Sequence, residues 1–143
     1  MNDLFWIKRT FLFTKRASFL NKIPIGCILV YNNFEIASSF NYSDNYFCFF
    51  DHAEINVLKQ AMFYLSNYIL LNTTLYTTLN PCLMCLNSLY LSKVKNYIFN
   101  IPCFENLDVS IYKFNNFFRK NGKFISYNLS NFVFRNYFKK LRN

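Results

Sequence analysis

The positions of a histidine and two cysteines constrain this chain more than any other feature. His52 is the single histidine, and the pair Cys82 and Cys85 begins thirty residues later. Two thiolates and one imidazole can bind one zinc ion, and three protein ligands leave a fourth position for water, which is typical of a catalytic site. If the three residues bind one ion, the fold must bring two distant segments together.

Each half of this pattern is a weak signal alone, because a lone histidine is usually a packed or exposed side chain and a Cys-x-x-Cys pair can be redox-active. Both halves, however, open a predicted helix. Asp51 is placed to cap a helix to about residue 66, and Pro81 opens another to about residue 92. Cys82 and Cys85 then share one face of a first turn, where the helix dipole favours thiolates.

Glu54 lies two residues after His52 and need not bind the metal. Zinc lowers the pKa of its water toward about 7, and a nearby carboxylate can accept the proton from that water and pass it to a substrate. We therefore predict Glu54 as a general acid and base. The alternative is an ordinary carboxylate in the first turn of a helix.

Hydrophobic periodicity predicts alternating helices and strands. Apolar residues at Leu4, Ile7, Phe11 and Phe19 indicate an amphipathic first helix over 3–21. Further helices are predicted over 109–121 and 130–142, and strands over 25–31, 34–40, 73–79, 97–101 and 123–127. This alternation predicts an α/β fold in which helices cover both faces of a central sheet. We expect a single domain over residues 1–143 that ends in a basic helix.

Composition excludes several classes of protein. The 143 residues are 53% hydrophobic and 16% charged, which excludes intrinsic disorder. Five cysteines, an odd number without a signal-peptide pattern, argue against a disulfide framework. Residues 60–92 carry no charge, but polar residues and a proline interrupt them, so they do not predict a membrane span. We expect a cytoplasmic protein that does not contact a membrane.

The net charge of +9 is unevenly distributed. Residues 1–22 carry +4, residues 23–108 carry −3, and residues 109–143 carry +8 without a single acid. A basic end of this kind suits a nucleic-acid backbone or an anionic membrane surface. A solvated face rich in lysine is the alternative.

Several stretches resemble a known family. His52-x-Glu54 followed by Pro81-Cys82-x-x-Cys85 is the signature of the zinc-dependent cytidine and deoxycytidylate deaminase superfamily. Within it the chain is similar to TadA, the family of bacterial tRNA-specific adenosine deaminases. The similarity lies in residues 23–30, in the pair Phe40-Asn41, in residues 52–55, in residues 75–85 and in the basic, aromatic residues 137–142.

The resemblance implies a three-layer α/β/α cytidine-deaminase-like fold with a mixed five-stranded sheet. It implies one zinc per chain on His52, Cys82 and Cys85, with Glu54 as the catalytic residue. By the same resemblance, Asn41 and Ala53 bind the substrate, while phosphates are contacted by Lys139, Lys140 and Arg142. The implied substrate is adenosine at the wobble position of a tRNA anticodon stem-loop, chiefly of the arginine tRNA, and the implied assembly is a homodimer.

The chain departs from the family pattern at three places. Asn80 stands where the family has a glutamate before Pro-Cys, and residues 48–51 replace an Asp-Pro-Thr-Ala segment before the His-x-Glu motif. The family's glycine-rich segments after Phe99 are replaced by unrelated sequence. None of these positions is an expected metal ligand, so we expect the zinc site to persist and the surroundings of the substrate to differ.

Two other functions use the same residues. The chain could deaminate a small molecule such as cytosine, guanine or a riboflavin intermediate, although such a substrate does not need the basic C-terminal segment. It could also be a non-catalytic, zinc-stabilised RNA-binding subunit, but the presence of Glu54, which neither zinc binding nor folding requires, argues against that interpretation.

Overall fold

A computed structural model describes residues 2–42, 50–102 and 120–142. In these residues four helices and five strands alternate along the chain: α1 Asp3–Phe19, β1 Gly26–Tyr31, β2 Phe34–Phe40, α2 Ala53–Leu65, β3 Thr73–Leu79, α3 Leu83–Leu91, β4 Asn96–Ile101, β5 Gly122–Phe124 and α4 Asn128–Leu141. The helix predicted over 109–121 lies outside the described residues except at its last two positions. No described helix is long and apolar enough to cross a membrane.

The strands form one mixed sheet in the order β2-β1-β3-β4-β5. Strand β1 is antiparallel to both β2 and β3, whereas β3, β4 and β5 run parallel to one another. The carboxyl ends of β2, β3 and β4 therefore share one edge of the sheet with the amino end of β1. Ligand sites in α/β sheets usually lie at such an edge.

Helices cover both faces of the sheet, which confirms the predicted three-layer α/β/α architecture. On one face Leu29 of β1 packs in a core with Val57 of α2 and Leu86 of α3. On the other face the neighbouring Ile28 packs with Trp6 of α1 and with other strand residues. Successive residues of a strand point to opposite faces, so β1 contributes to both cores.

The buried face of α1 differs from the predicted one. Phe19 is 87% exposed and Leu4 is also exposed, whereas two threonines of the helix, Thr10 and Thr14, are fully buried. Each threonine hydroxyl makes a hydrogen bond inside the protein, which makes its burial possible. Periodicity of apolar residues alone could not reveal this face, because polar residues form part of it.

Gly26 lets α1 lie directly against the sheet. A Cβ atom at this position would come within 2.3 Å of the Thr10 carbonyl oxygen and 2.7 Å of the Thr14 nitrogen. The Gly26 N–H donates a 3.0 Å hydrogen bond to Thr78 Oγ1 of β3, and Thr78 Oγ1 is in turn 2.5 Å from Thr14 Oγ1. The start of β1 is thus held to both α1 and β3 at the edge where the sequence predicts the metal site.

The helices that carry the predicted ligands begin slightly later than expected. Asp51 does not cap α2; the N-cap residue is His52 and the helix begins at Ala53. Likewise Pro81 lies before α3, whose N-cap residue is Cys82. Both shifts are within the usual variation of helix ends, and they place two metal ligands at helix caps.

Candidate metal centre and active site

His52, Cys82 and Cys85 meet at the edge of the sheet. His52 Nδ1 lies 3.6 Å from Cys82 Sγ and 3.5 Å from Cys85 Sγ, and the two sulfurs are 3.6 Å apart. Zinc with bonds of about 2.3 Å to sulfur and 2.0 Å to nitrogen in tetrahedral geometry requires separations of roughly 3.5–3.8 Å between such atoms. Both the donor set and its spacing therefore fit zinc, and the three residues form a potential site for one ion per chain.

The two helix starts position these ligands. His52 and Cys82 have extended backbones as N-cap residues of α2 and α3, and neither side chain makes a capping hydrogen bond. Their carbonyl oxygens accept the first helical hydrogen bonds, from Asn56 N at 3.0 Å and Leu86 N at 2.9 Å. The backbone therefore starts each helix, while the side chains remain directed at one another and at Cys85 in the first turn of α3.

Proximity changes the acidity of the three ligands: the pKa of Cys82 is lowered, whereas the contact with Cys82 raises the pKa of both His52 and Cys85. The hydrogen bond with Cys85, together with the contact to the His52 ring, lowers the pKa of the Cys82 thiol to about 4 despite its partial burial. The same contact with Cys82 raises the pKa of His52. A thiolate at Cys82 is the form that binds zinc, so the protein favours the metal-binding state of this ligand.

Glu54 lies in the first turn of α2 and is only 3% exposed. Burial raises the pKa of its carboxyl group, because the charged form loses its hydration. A carboxyl group with a raised pKa next to a metal site is suited to accept and return a proton near neutral pH. The predicted acid and base is thus placed beside the predicted ligands.

Asn41, the residue expected to bind substrate, is buried directly after β2. Its N–H donates to the Ile25 carbonyl oxygen at 3.1 Å. The next N–H, of Tyr42, donates to the Asp51 carbonyl oxygen at 3.1 Å, which ties this segment to the residue before His52. Ala53, the other residue expected to contact substrate, is buried as the first residue of α2.

The remaining site residues lie on a separate helix. Lys139, Lys140 and Arg142 are exposed at the end of α4, a helix that carries none of the ligands. Cys27 is fully buried in β1, as expected of a structural thiol, and Cys48 and Cys103 lie outside the described residues.

Sequence reasoning missed one residue of interest, Tyr42. Its ring packs on the ring of Phe40, with centroids 4.3 Å apart, and remains partly exposed. In this aromatic-rich sequence nothing distinguished Tyr42 from ten other tyrosines except its position next to Asn41.

Comparison with known proteins defines the class. The sequence model of the cytidine and deoxycytidylate deaminase zinc-binding region matches residues 2–101. The chain belongs to this family of zinc-dependent deaminases. Within the family it is similar to proteins named tRNA-specific adenosine deaminase. It is 35% identical over 126 residues to the one from Buchnera aphidicola subsp. Baizongia pistaciae, covering 87% of this chain and 77% of that protein.

A second such relative, from Bacillus subtilis, is 34% identical over 97 residues, which cover 68% of this chain and 60% of that protein. The chain therefore spans 77% of the first relative and 60% of the second.

Solved structures agree with this placement. A structure from a study of A-to-I editing by tRNA:A34 deaminases matches with a TM-score of 0.65 and 27% identity, covering 68% of this chain and 75% of that chain. Guanine deaminase from Bacillus subtilis matches with a TM-score of 0.67 and 25% identity, covering 81% of this chain and 73% of that chain. Both matches confirm the predicted fold.

We predict that the purified protein contains one zinc ion per chain and that Cys82→Ala abolishes stoichiometric binding, because two ligands cannot hold the ion tightly. Metal analysis by mass spectrometry measures this. Cys27→Ala is the matched control, since it removes a buried thiol that is not among the three ligands. Zinc retained at one equivalent in Cys82→Ala would contradict the assigned ligand set.

Proposed function

We propose that this protein converts adenosine to inosine, by hydrolytic deamination, at the wobble position of a tRNA anticodon. The observation that carries the proposal is the meeting of a buried Glu54 with a site of three zinc ligands, in a chain 35% identical to a tRNA-specific adenosine deaminase. Hydrolytic deamination of a base requires a metal site with one position for water and a carboxylic acid next to it.

The reaction adds water to C6 of adenine and releases ammonia. When bound, zinc supplies the Lewis acidity that makes a water molecule nucleophilic at neutral pH. Glu54 accepts a proton from the attacking water and delivers it to a ring nitrogen of the base. A second proton transfer through Glu54 to the exocyclic amine lets ammonia leave and restores the carboxylate.

Burial makes Glu54 suited to this shuttle. A solvent-exposed glutamate holds its proton poorly at neutral pH, whereas burial raises the pKa of Glu54. Ala53 directly precedes this residue, and Asn41 follows β2 at the same edge of the sheet. We assign Asn41 to hydrogen-bond the nucleoside, since its amide can both donate and accept, and Ala53 to contact the base through its backbone.

An RNA substrate agrees with the distribution of charge. The anticodon loop is single-stranded, so its bases can be turned out of the stack at low cost. The basic residues Lys139, Lys140 and Arg142 are exposed at the end of α4. The Tyr137 hydroxyl of α4 donates to the carbonyl oxygen of Asn21, just after α1. Arg16 near the end of α1 lies over the ring of Phe40, the last residue of β2, so the two helices meet near the sheet edge that carries the metal site. We therefore assign these side chains to RNA phosphates.

Among tRNAs we propose the arginine tRNA, and we place the reaction in the cytoplasm, both by resemblance to the bacterial family.

We also propose that the protein acts as a homodimer. Helices α2 and α3 leave an apolar face between them that includes Ile55, Met62 and Leu91, and Leu91 is 69% exposed. An apolar face of this kind is typical of homodimer interfaces, which are less polar than ordinary surface. Helices α2 and α3 also begin at the metal ligands, so a partner bound to this face would lie close to the site.

Deamination of guanine is the second candidate, and the similarity to a bacterial guanine deaminase favours it. The zinc chemistry would be the same. A free base, however, offers no phosphate for the acid-free basic C-terminal segment to bind.

We predict that the wild-type protein forms inosine in an arginine anticodon stem-loop, and that Glu54→Gln lowers turnover by about 10²-fold or more because it removes the proton shuttle. Nucleoside analysis by liquid chromatography measures the product. Glu54→Gln should retain zinc and RNA affinity, which separates loss of chemistry from loss of folding. Deamination of guanine with no inosine in any tRNA would move the protein to the second candidate.

We further predict that Lys139→Gln with Lys140→Gln weakens RNA binding and lowers the slope of log affinity against log salt by roughly 1.4–1.8, because two phosphate contacts are lost. Fluorescence anisotropy at several salt concentrations measures this slope. The matched control is Lys93→Gln with Lys95→Gln, which removes two exposed lysines before β4, at the opposite edge of the sheet. An equal change of slope in both double variants would argue against a specific role of α4.

Sedimentation should show a dimer at micromolar concentration, and Leu91→Glu should shift it to monomer because a charge would be buried in an apolar interface. Phe34→Glu, at the exposed first residue of β2, is the control and should remain dimeric. A wild-type monomer with full activity would contradict the dimer.

A further inference from the structure

A cleft of about 460 Å³ opens between the end of β2 and α2, and its lining includes Asp51, the neighbour of the ligand His52 in the sequence. Its volume is in the range of sites that bind small organic groups. None of its lining residues is a metal ligand or Glu54; they combine one aromatic ring, two amides, a hydroxyl and one charge of each sign: Ser39, Tyr42, Asp51, Asn56, Lys59 and Gln60.

The cleft is connected to the catalytic site through the backbone. Tyr42 directly follows Asn41, and Asp51 directly precedes His52. The hydrogen bond from Tyr42 N–H to the Asp51 carbonyl oxygen, 3.1 Å long, fixes these two neighbours of the catalytic site to each other. A group bound in the cleft would therefore lie next to a nucleoside held by Asn41.

Tyr42 is held as a platform. Its ring packs on Phe40 at 4.3 Å with an angle of 31° between the rings, and Phe40 is itself buried under the guanidinium of Arg16, 5.7 Å from its centroid. Because Tyr42 remains 43% exposed, it offers aromatic surface to a ligand while part of its ring packs on Phe40. Such a platform binds a nucleobase by stacking, whatever the identity of the base.

The polar groups of the cleft suit the rest of a nucleotide. Lys59 is exposed about two turns along α2 from Asp51, so positive and negative charge lie at opposite ends. A phosphate is attracted to Lys59 and repelled by Asp51, which orients the base toward the catalytic site. Asn56 Nδ2 donates to the Asp51 carbonyl oxygen at 3.5 Å, and its amide oxygen is suited to accept from a base edge.

We infer that this cleft binds the nucleotide adjacent to the reacting adenosine, with its base stacked on Tyr42 and its phosphate on Lys59. The inference rests on the proposed function and adds a second recognition element to it. It makes Tyr42 a substrate-binding residue and explains how a site built around one base would select an RNA strand over a free nucleoside.

A double-mutant cycle tests the inference. One component is Tyr42→Leu, and the other is an anticodon stem-loop with an abasic nucleotide immediately before or immediately after the reacting adenosine. We expect each change alone to lower kcat/KM for inosine formation by roughly tenfold, and the two together to lower it no further, for one of the two abasic positions. Tyr42→Phe, which keeps the ring, should restore the sensitivity to that abasic position that Tyr42→Leu loses.

The controls separate the possible failures. Phe34→Leu removes an exposed aromatic ring from the other end of β2 and should show no coupling to either abasic position. Zinc content shows whether each variant is folded. If Tyr42→Leu is not folded, the cycle is repeated with Lys59→Gln and a stem-loop that carries an uncharged linkage at the phosphate of the neighbouring nucleotide. Additive effects at both abasic positions would overturn the inference and leave the proposed function in place. No inosine from the wild type would overturn the proposed function and the inference with it.

Discussion

The requirement that one imidazole and two thiolates surround one ion governs much of this structure. His52 and the two cysteines come from separate helix starts, and their atoms lie 3.5–3.6 Å apart. Helices α2 and α3 must therefore begin side by side at one edge of the sheet. The core of Leu29, Val57, Leu86 and their neighbours holds them there. Packing on this face of the sheet thus serves directly to keep three ligand atoms within reach of one another.

The second constraint is the burial of a carboxylic acid. Removing Glu54 from water disfavours its charged form and raises the pKa of its carboxyl group, at a cost in stability. The cost is tolerable because the residue lies in the first turn of α2, where the helix dipole favours negative charge. The same helix start therefore carries a metal ligand and a buried carboxyl group.

The chemistry of the site could be predicted from the sequence better than its surroundings. His52, Glu54, Cys82 and Cys85 could be found because few sites other than a catalytic zinc centre combine these residue types at this spacing. The buried face of α1 could not, because it depends on hydrogen bonds of threonine side chains that no pattern of apolar residues reveals. Tyr42 was missed for a related reason: its importance comes from a ring contact and a cleft, which exist only once the chain has folded. The order of the strands likewise required the structure, since several pairings satisfy the same alternation.

The hydrogen bond between Tyr42 and Asp51 has a consequence for how such proteins diverge. It joins the two ends of the stretch 43–50, so the chain leaves β2 and returns to α2 at a fixed pair of points. Substitutions, and even changes of length, within that stretch need not displace Asn41 or His52. The residues between Tyr42 and Asp51 can therefore diverge separately from the metal ligands. An ancestral protein of this kind could change them while its metal site stayed the same.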